Sequence, residues 1–191
     1  MSASSDRPAK RSINSSRAVA AVVGLVLAGL LWVLLSASPN PSENAESPLL
    51  GKPAPALETT TLDGASFNLA QRKGSWVVLN FFNSTCVPCQ IEHPLLVAFD
   101  AEQNSSTDAV ELYSVVNDDS DESVNAYFAA NGGSWPRLRD TNGAIAISFG
   151  VAKVPETWII DPNGFVRLRI AGQLNEGLLQ EQLAALKEMT S

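Results

Sequence analysis

Cys86 and Cys89 are the only cysteines of the chain, three apart in Phe81-Phe82-Asn83-Ser84-Thr85-Cys86-Val87-Pro88-Cys89. Two thiols at this spacing bridge each other structurally, contribute to a metal site, or exchange disulfides with another molecule. A zinc site needs four ligands as a rule, and His93 is the only histidine. A purely structural bridge would close so short a loop that it restrains the unfolded chain little. The chemistry that suits the pair is thiol–disulfide exchange, in which a thiolate attacks a disulfide sulfur.

The flanking residues say how the pair is held. Residues 76–82 form a short apolar, β-rich run that reads as a buried strand, and residues 90–103 carry apolar residues at helical spacing. The cysteines therefore fall on a strand-to-helix turn. Cys86 lies at the helix start, where unpaired N–H groups and the positive end of the helix dipole stabilise a thiolate. Cys86 is expected to be the more exposed, attacking thiol and Cys89 the buried, resolving one. Pro88 has no N–H to leave unsatisfied in a first helical turn. Glu92, one turn beyond Cys89, has two readings: a solvated surface carboxylate, or a partly buried one that raises thiol pKa values and exchanges protons with the resolving thiol. His93 is expected on the helix surface, and Pro94 to kink the helix.

Val154-Pro155-Glu156-Thr157 stands just before a strand. It reads either as an ordinary strand-edge proline or as a cis proline whose neighbouring backbone pairs with an extended substrate. The remaining pattern is mixed α/β. Residues 56–61 and 66–68 flank Asp63-Gly64, a hairpin signal, and 69–73 read as a helical turn. A strand is expected at 111–116, followed by the acidic cluster 117–122. A helix capped by Ser120 is expected over 121–130, a short helix over 144–149, paired strands over 157–160 and 166–170, and an amphipathic helix over 176–189. The order implies a central mixed sheet with helices on both faces, after an N-terminal β-hairpin.

Location follows from the other end of the chain. Of the 191 residues, residues 1–17 carry Arg7, Lys10, Arg11 and Arg17 against Asp6, a net +3; the whole chain is −7, which leaves −10 for the rest. An acidic domain repels phosphate backbones, so nucleic acid is not an expected partner. Residues 18–35 are uncharged and rich in Ala, Val and Leu. That is long enough for a bilayer, longer than the apolar region of most signal peptides, and without a polar face. The organisation expected is a basic cytoplasmic N-terminus (1–17), a transmembrane signal-anchor (18–36), a Pro-rich linker (37–50) and an extracytoplasmic domain (51–191) on the periplasmic side. A cleaved signal peptide is the competing reading, although its best cleavage site would put Pro39 directly after the cut. No cysteine directly follows the apolar run, which counts against a lipid anchor.

Taken together, residues 51–186 resemble the thioredoxin superfamily, in particular its membrane-tethered TlpA/ResA/DsbE (CcmG) branch. The resemblance rests on Leu62-Asp63-Gly64 with Phe67-Asn68-Leu69, on the strand 77–82 with Asn80 at the place of the superfamily's buried Asp, and on Cys86-Val87-Pro88-Cys89 followed by Glu92. It continues in Phe149-Gly150-Val151, Val154-Pro155-Glu156-Thr157, Asp161-Pro162-Asn163-Gly164 and Ala171-Gly172-Gln173-Leu174-Asn175. It implies a thioredoxin-like fold, a redox-active Cys86–Cys89 pair, a functional Glu92, and a substrate surface at Thr85, Val154, cis-Pro155 and Glu156. It further implies that the client is apocytochrome c before haem attachment and that the electron donor is a membrane thiol transporter of the DsbD/CcdA type, with no cofactor or metal. Thr85 departs from the pattern, since the family usually has Trp before the first cysteine. Competing functions are a general oxidant or reductant of exported proteins, a peroxide-linked reductase, and a non-catalytic peptide-binding module.

Overall fold

The computed structural model describes residues 15–36, 42–106 and 109–190, with side chains over 18–33 in the first helix. Most of the basic N-terminus, linker residues 37–41 and loop residues 107–108 lie outside them. The chain divides into two units, Met1–Asn40 and Pro41–Ser191. The first unit is described by one helix, α1 (Ser15–Ser36). Among the described residues no helix is long and apolar enough to cross a membrane, so the spanning segment expected over 18–36 rests on the sequence.

The second unit is built on a six-stranded sheet. Its strands are β1 (Ser42–Asn44), β4 (Val77–Phe82), β5 (Glu111–Val116), β6 (Arg137–Arg139), β7 (Glu156–Ile160) and β8 (Val166–Gly172), in the order β1-β8-β7-β4-β5-β6. A separate antiparallel hairpin pairs β2 (Glu58–Thr60) with β3 (Ser66–Asn68). Strands β4, β5 and β6 run parallel, and β7 lies antiparallel to β4, so the sheet is mixed. The fold is thioredoxin-like.

Every residue of β4 is buried, because both faces of the sheet are covered. Alternation along the strand sorts its side chains. Val78 and Phe82 enter the core that holds residues of α2 (Val87–Gln103), α3 (Asp121–Asn131) and α5 (Leu178–Thr190). Val77, Leu79 and Phe81 enter a second core with Ile145, Ala146 and Phe149 of α4 (Ala144–Phe149) and with Phe67 of the hairpin. Both parallel connections, through α2 and α3, return on one face, as right-handed crossovers in one direction must. The hairpin tip covers the β6 edge, with Thr61 bridged to Leu138 and the Leu62 N–H bonded to the Arg137 carbonyl at 2.8 Å.

Three elements differ from the sequence reading. Helix α2 begins at Val87 rather than at 90, because Cys86 itself serves as its N-cap. β6 is three residues long, too short to show a period. β1 lies inside the stretch expected as linker: residues 42–44 pair antiparallel with β8, and the Ala45 N–H bonds the Arg169 carbonyl at 2.9 Å. The folded unit therefore begins before residue 51.

Candidate functional site

The site grows from the C-terminal end of β4. The chain leaves the strand at Phe82 and turns through 83–85 under several side-chain bonds. Asn83 Nδ2 donates to the carbonyls of Asn117 (3.0 Å) and Asp118 (2.8 Å), and the Ser84 N–H donates to Asp119 Oδ2 at 2.6 Å. Gln90 reaches back from α2 to the Ser84 carbonyl at 2.7 Å. Thr85 is exposed, with its hydroxyl and its N–H both on Asn83 Oδ1.

Cys86 and Cys89 form a disulfide, their Cα atoms 5.2 Å apart. Cys86 is half-buried, whereas Cys89 is 0% exposed and belongs to the core that also holds Phe82, Val124 and Phe128. The Cys89 N–H points at Cys86 Sγ, 3.3 Å away. In the dithiol form the same N–H would stabilise a thiolate on Cys86, as the helix start does. Pro88 occupies the first turn, and α2 continues through Pro94, whose missing N–H removes one internal bond.

Glu92 is on the helix one turn past Cys89 and is 0% exposed. Its Oε1 accepts from Asn80 Nδ2 on β4 at 2.7 Å and its Oε2 from the Leu174 N–H at 2.7 Å. Burial pushes its carboxyl up to about 7, and the hydrogen bonds from Leu174 and Asn80 oppose this. Asn80 also donates to Thr157 Oγ1 on β7 at 3.1 Å, and its Oδ1 is buried with no partner.

The Val154–Pro155 bond is cis. Register locates it: Phe81 pairs with Glu156 across β4 and β7, so Pro155 lies at the sheet end from which the cysteine turn emerges. The Pro155 carbonyl accepts the Gly172 N–H at 3.0 Å. Val154 and Cys86 both pack against the core that contains Cys89.

One expectation needs correction. His93 is not a surface residue: it is 1% exposed, among Phe82, Tyr127, Phe128 and Trp135, with Nε2 on the Gly132 carbonyl at 2.9 Å. The aromatic wall contributed by α3 covers this side of α2, which helical periodicity within α2 could not reveal. Desolvation lowers its pKa. Gly133 permits this packing: at φ +101°, a Cβ there would come within 2.9 Å of the Trp135 ring. The side chain of Glu156, beside the cis proline, turns away from the face that carries Asn80 and Thr157. It is buried on the opposite face, accepting from Arg169 Nε and Nη2 at 2.9 Å each and from Trp158 Nε1 at 2.8 Å.

Sequence reasoning does not single out Thr157, Asn83, Asp119 or the Leu174 N–H. One signal is present, an Asn in the middle of an otherwise apolar strand, because a polar side chain there must find a partner.

A disulfide at a helix start, with one sulfur half-buried and one enclosed, and a cis proline at the same sheet end are the arrangement of a thioredoxin-like thiol–disulfide oxidoreductase. The comparisons with known proteins agree. The chain belongs to the AhpC/TSA family, whose model matches residues 50–169. It is 32% identical over 166 residues to the thiol:disulfide interchange protein HelX of Rhodobacter capsulatus, covering 85% of this chain and 91% of that protein. It is 30% identical over 171 residues to the thiol:disulfide interchange protein DsbE of Escherichia coli, covering 87% and 89%. The solved structure of MTB DsbF in its mixed oxidised and reduced forms superposes with a TM-score of 0.62 at 26% identity, over 68% of this chain and 94% of that one.

Proposed function

We propose that the protein is a membrane-anchored, extracytoplasmic reductant of disulfides in exported proteins, with apocytochrome c as its client before haem attachment. The observation that carries the reading is the asymmetry of the pair: a half-buried Cys86 whose sulfur faces the Cys89 N–H, and an enclosed Cys89 one turn from the buried carboxyl of Glu92. The similarity to HelX and DsbE, and the resemblance of 155–157 and 171–175 to the cytochrome c maturation branch, support the choice of client. The apolar run 18–35 behind a basic flank supports the anchor.

In this reading the Cys86 thiolate attacks one sulfur of a client disulfide, forming a mixed disulfide and releasing one client thiolate. The Cys89 thiol then gives its proton to Glu92 and attacks Cys86 Sγ, which releases the second client thiolate. Both client thiolates take up protons. The client gains two electrons, and the Cys86–Cys89 disulfide is left, to be reduced again by a membrane dithiol donor of the DsbD/CcdA type. Extended client backbone would lie along residues 154–155.

The test uses the reduced full chain in detergent micelles with two oxidised peptides, one carrying the Cys-x-x-Cys-His haem-attachment pattern and one a disulfide of unrelated sequence. Reduction of the first at least tenfold faster is expected. Equal rates would leave a general reductant, and a reduction potential well above that of glutathione would reverse the direction of electron flow. A Cys89→Ser variant should trap client on Cys86, whereas trapping on Cys89 in Cys86→Ser would overturn the order of attack. Release of a soluble protein beginning near residue 39 on fractionation would reject the anchor.

A further inference from the structure

Asn80, Thr157 and Glu92 form a buried polar group, and one of its atoms has no partner. Asn80 and Thr157 face each other across β4 and β7. Asn80 Nδ2 donates to both Glu92 Oε1 and Thr157 Oγ1, while Oδ1 is unpaired. A buried amide oxygen without a donor is uncommon in a packed core. A half-turn of the amide exchanges the two ends of the group. Oδ1 then faces Glu92 Oε1 and Thr157 Oγ1, and Nδ2 takes the position in which Oδ1 has no donor.

The two orientations suit different forms of Glu92. An ionised carboxylate only accepts, so it needs Nδ2. A protonated carboxyl donates, so it needs Oδ1. Thr157 fits both, since a hydroxyl accepts from Nδ2 and donates to Oδ1. In the orientation present the other end of the amide, Oδ1, has no donor to hold it, so the proton on Glu92 sets which end of the amide faces it. We propose that Asn80 and Thr157 are positioning residues that keep Glu92 hydrogen-bonded in both protonation states, Asn80 by reversing its amide and Thr157 by switching its hydroxyl from acceptor to donor. This rests on the reading of Glu92 as the proton acceptor of Cys89.

The causes of the Glu92 shift are burial and the bonds from Leu174 and Asn80, with no charged group among them. On α2 the titratable neighbours are Cys89 and His93, and His93 is bonded to Gly132. On β7, Glu156 points to the other face of the sheet, paired with Arg169 of β8. β4 carries no ionisable residue, and Leu174 contributes only its N–H. The coupling also has a direction. Thr157 stands two residues from Pro155, so the proton on Glu92 is linked through Asn80 to the strand end where a client would lie.

The experiment titrates the infrared carbonyl band of the protonated carboxyl in the full chain in micelles, assigned by its absence in Glu92→Gln. Asn80→Leu removes a bond from both forms, and the charge-assisted bond to the carboxylate is the stronger of the two, so the midpoint should rise by about one pH unit. Thr157→Val should raise it by less, and Thr157→Ser, which keeps the hydroxyl, should restore the original value. The side-chain amide protons of Asn80 should shift with the same midpoint in the parent chain and not in Glu92→Gln. An unmoved midpoint in both Asn80→Leu and Thr157→Val would overturn the proposal; should the leucine variant fail to fold, Thr157→Val with its serine control decides alone. The role of Glu92 is read separately, from the pH profile of client reduction. If Glu92→Gln leaves that profile unchanged while the band still moves in the other variants, the network stands and the proton-acceptor reading falls.

Discussion

The sheet buries two glutamates, one on each side, and treats them differently. Glu156 faces a guanidinium: both its oxygens accept from Arg169, and the Trp158 indole adds a third bond. Glu92 faces neutral donors only, an Asn amide and a backbone N–H. Burial costs a carboxylate several kcal/mol unless a cation or several hydrogen bonds offset it. With a cation beside it, Glu156 is part of the frame that holds β7 to β8 next to the cis proline. Without one, the Glu92 carboxyl is raised to about 7, near the balance between its two forms that the proposed proton transfer requires. Proximity to the cysteines does not separate the two roles by itself, since Glu156 is one residue from Pro155. The partner does.

The comparison breaks first at Arg169. Arg169→Met should leave Glu156 buried without a counter-charge and cost about 3–5 kcal/mol in urea unfolding, while the double variant with Glu156→Gln should recover most of the loss. A single-variant cost below about 1 kcal/mol would mean that the pair is not what holds this face.

Glu92 is expected to act through pH. Its carboxyl is raised from 4.5 to about 7 in the folded state, so between those values the folded chain binds more protons than the unfolded one. Stability therefore falls as pH rises through this window, by about 3 kcal/mol in all. Glu92→Gln should flatten the slope, as read from unfolding midpoints at a series of pH values. The same variant should lower the Cys86 thiol pKa, because a nearby carboxylate disfavours a second negative charge, and make the dithiol a weaker reductant. Superimposable thiolate titrations would remove Glu92 from the acid–base chemistry.

His93 gives a smaller effect of opposite sign. Its folded-state pKa lies below 6.5 because of burial, so the unfolded chain takes up a proton first on acidification. Stability from this group is intact above about pH 6.5 and declines as pH falls below it. His93→Phe should reduce the decline between pH 7 and 5, seen in the same unfolding series. The smallest effect is expected at the surface pair of Arg139 and Asp121, whose side chains are 38% and 43% exposed. Arg139→Met should cost under about 1 kcal/mol, and less at high salt.

Much of the framework is legible in the sequence. The apolar run of β4, the capping Ser120 of α3 and the Asp-Pro-Asn-Gly turn between β7 and β8 are local signals, and the elements they mark lie within a few residues of the expected bounds. β1 and β6 are not legible, since each is a three-residue edge strand that exists only because a neighbour offers open hydrogen-bonding groups. Helical spacing places the start of α2 late because a cysteine is not a usual cap, and Cys86 caps only by turning its sulfur to the Cys89 N–H.

The same division runs through the site. Sequence alone determined that two thiols stand three apart at a strand-to-helix turn, because spacing and the flanking apolar pattern are local properties. It also determined that Glu92 follows Cys89 by one turn, because helical spacing is a local property. What it left open was the surroundings of each side chain. Glu92 and His93 are adjacent on one helix, and periodicity within α2 did not bury either of them. Asn80 and Leu174 enclose the first, and the aromatic wall from α3 encloses the second. Those partners lie 12 to 82 residues away in the chain. Only the packed tertiary structure sets the dielectric and the hydrogen bonds around a group. Its proton affinity, and with it its part in the chemistry, was therefore decided there.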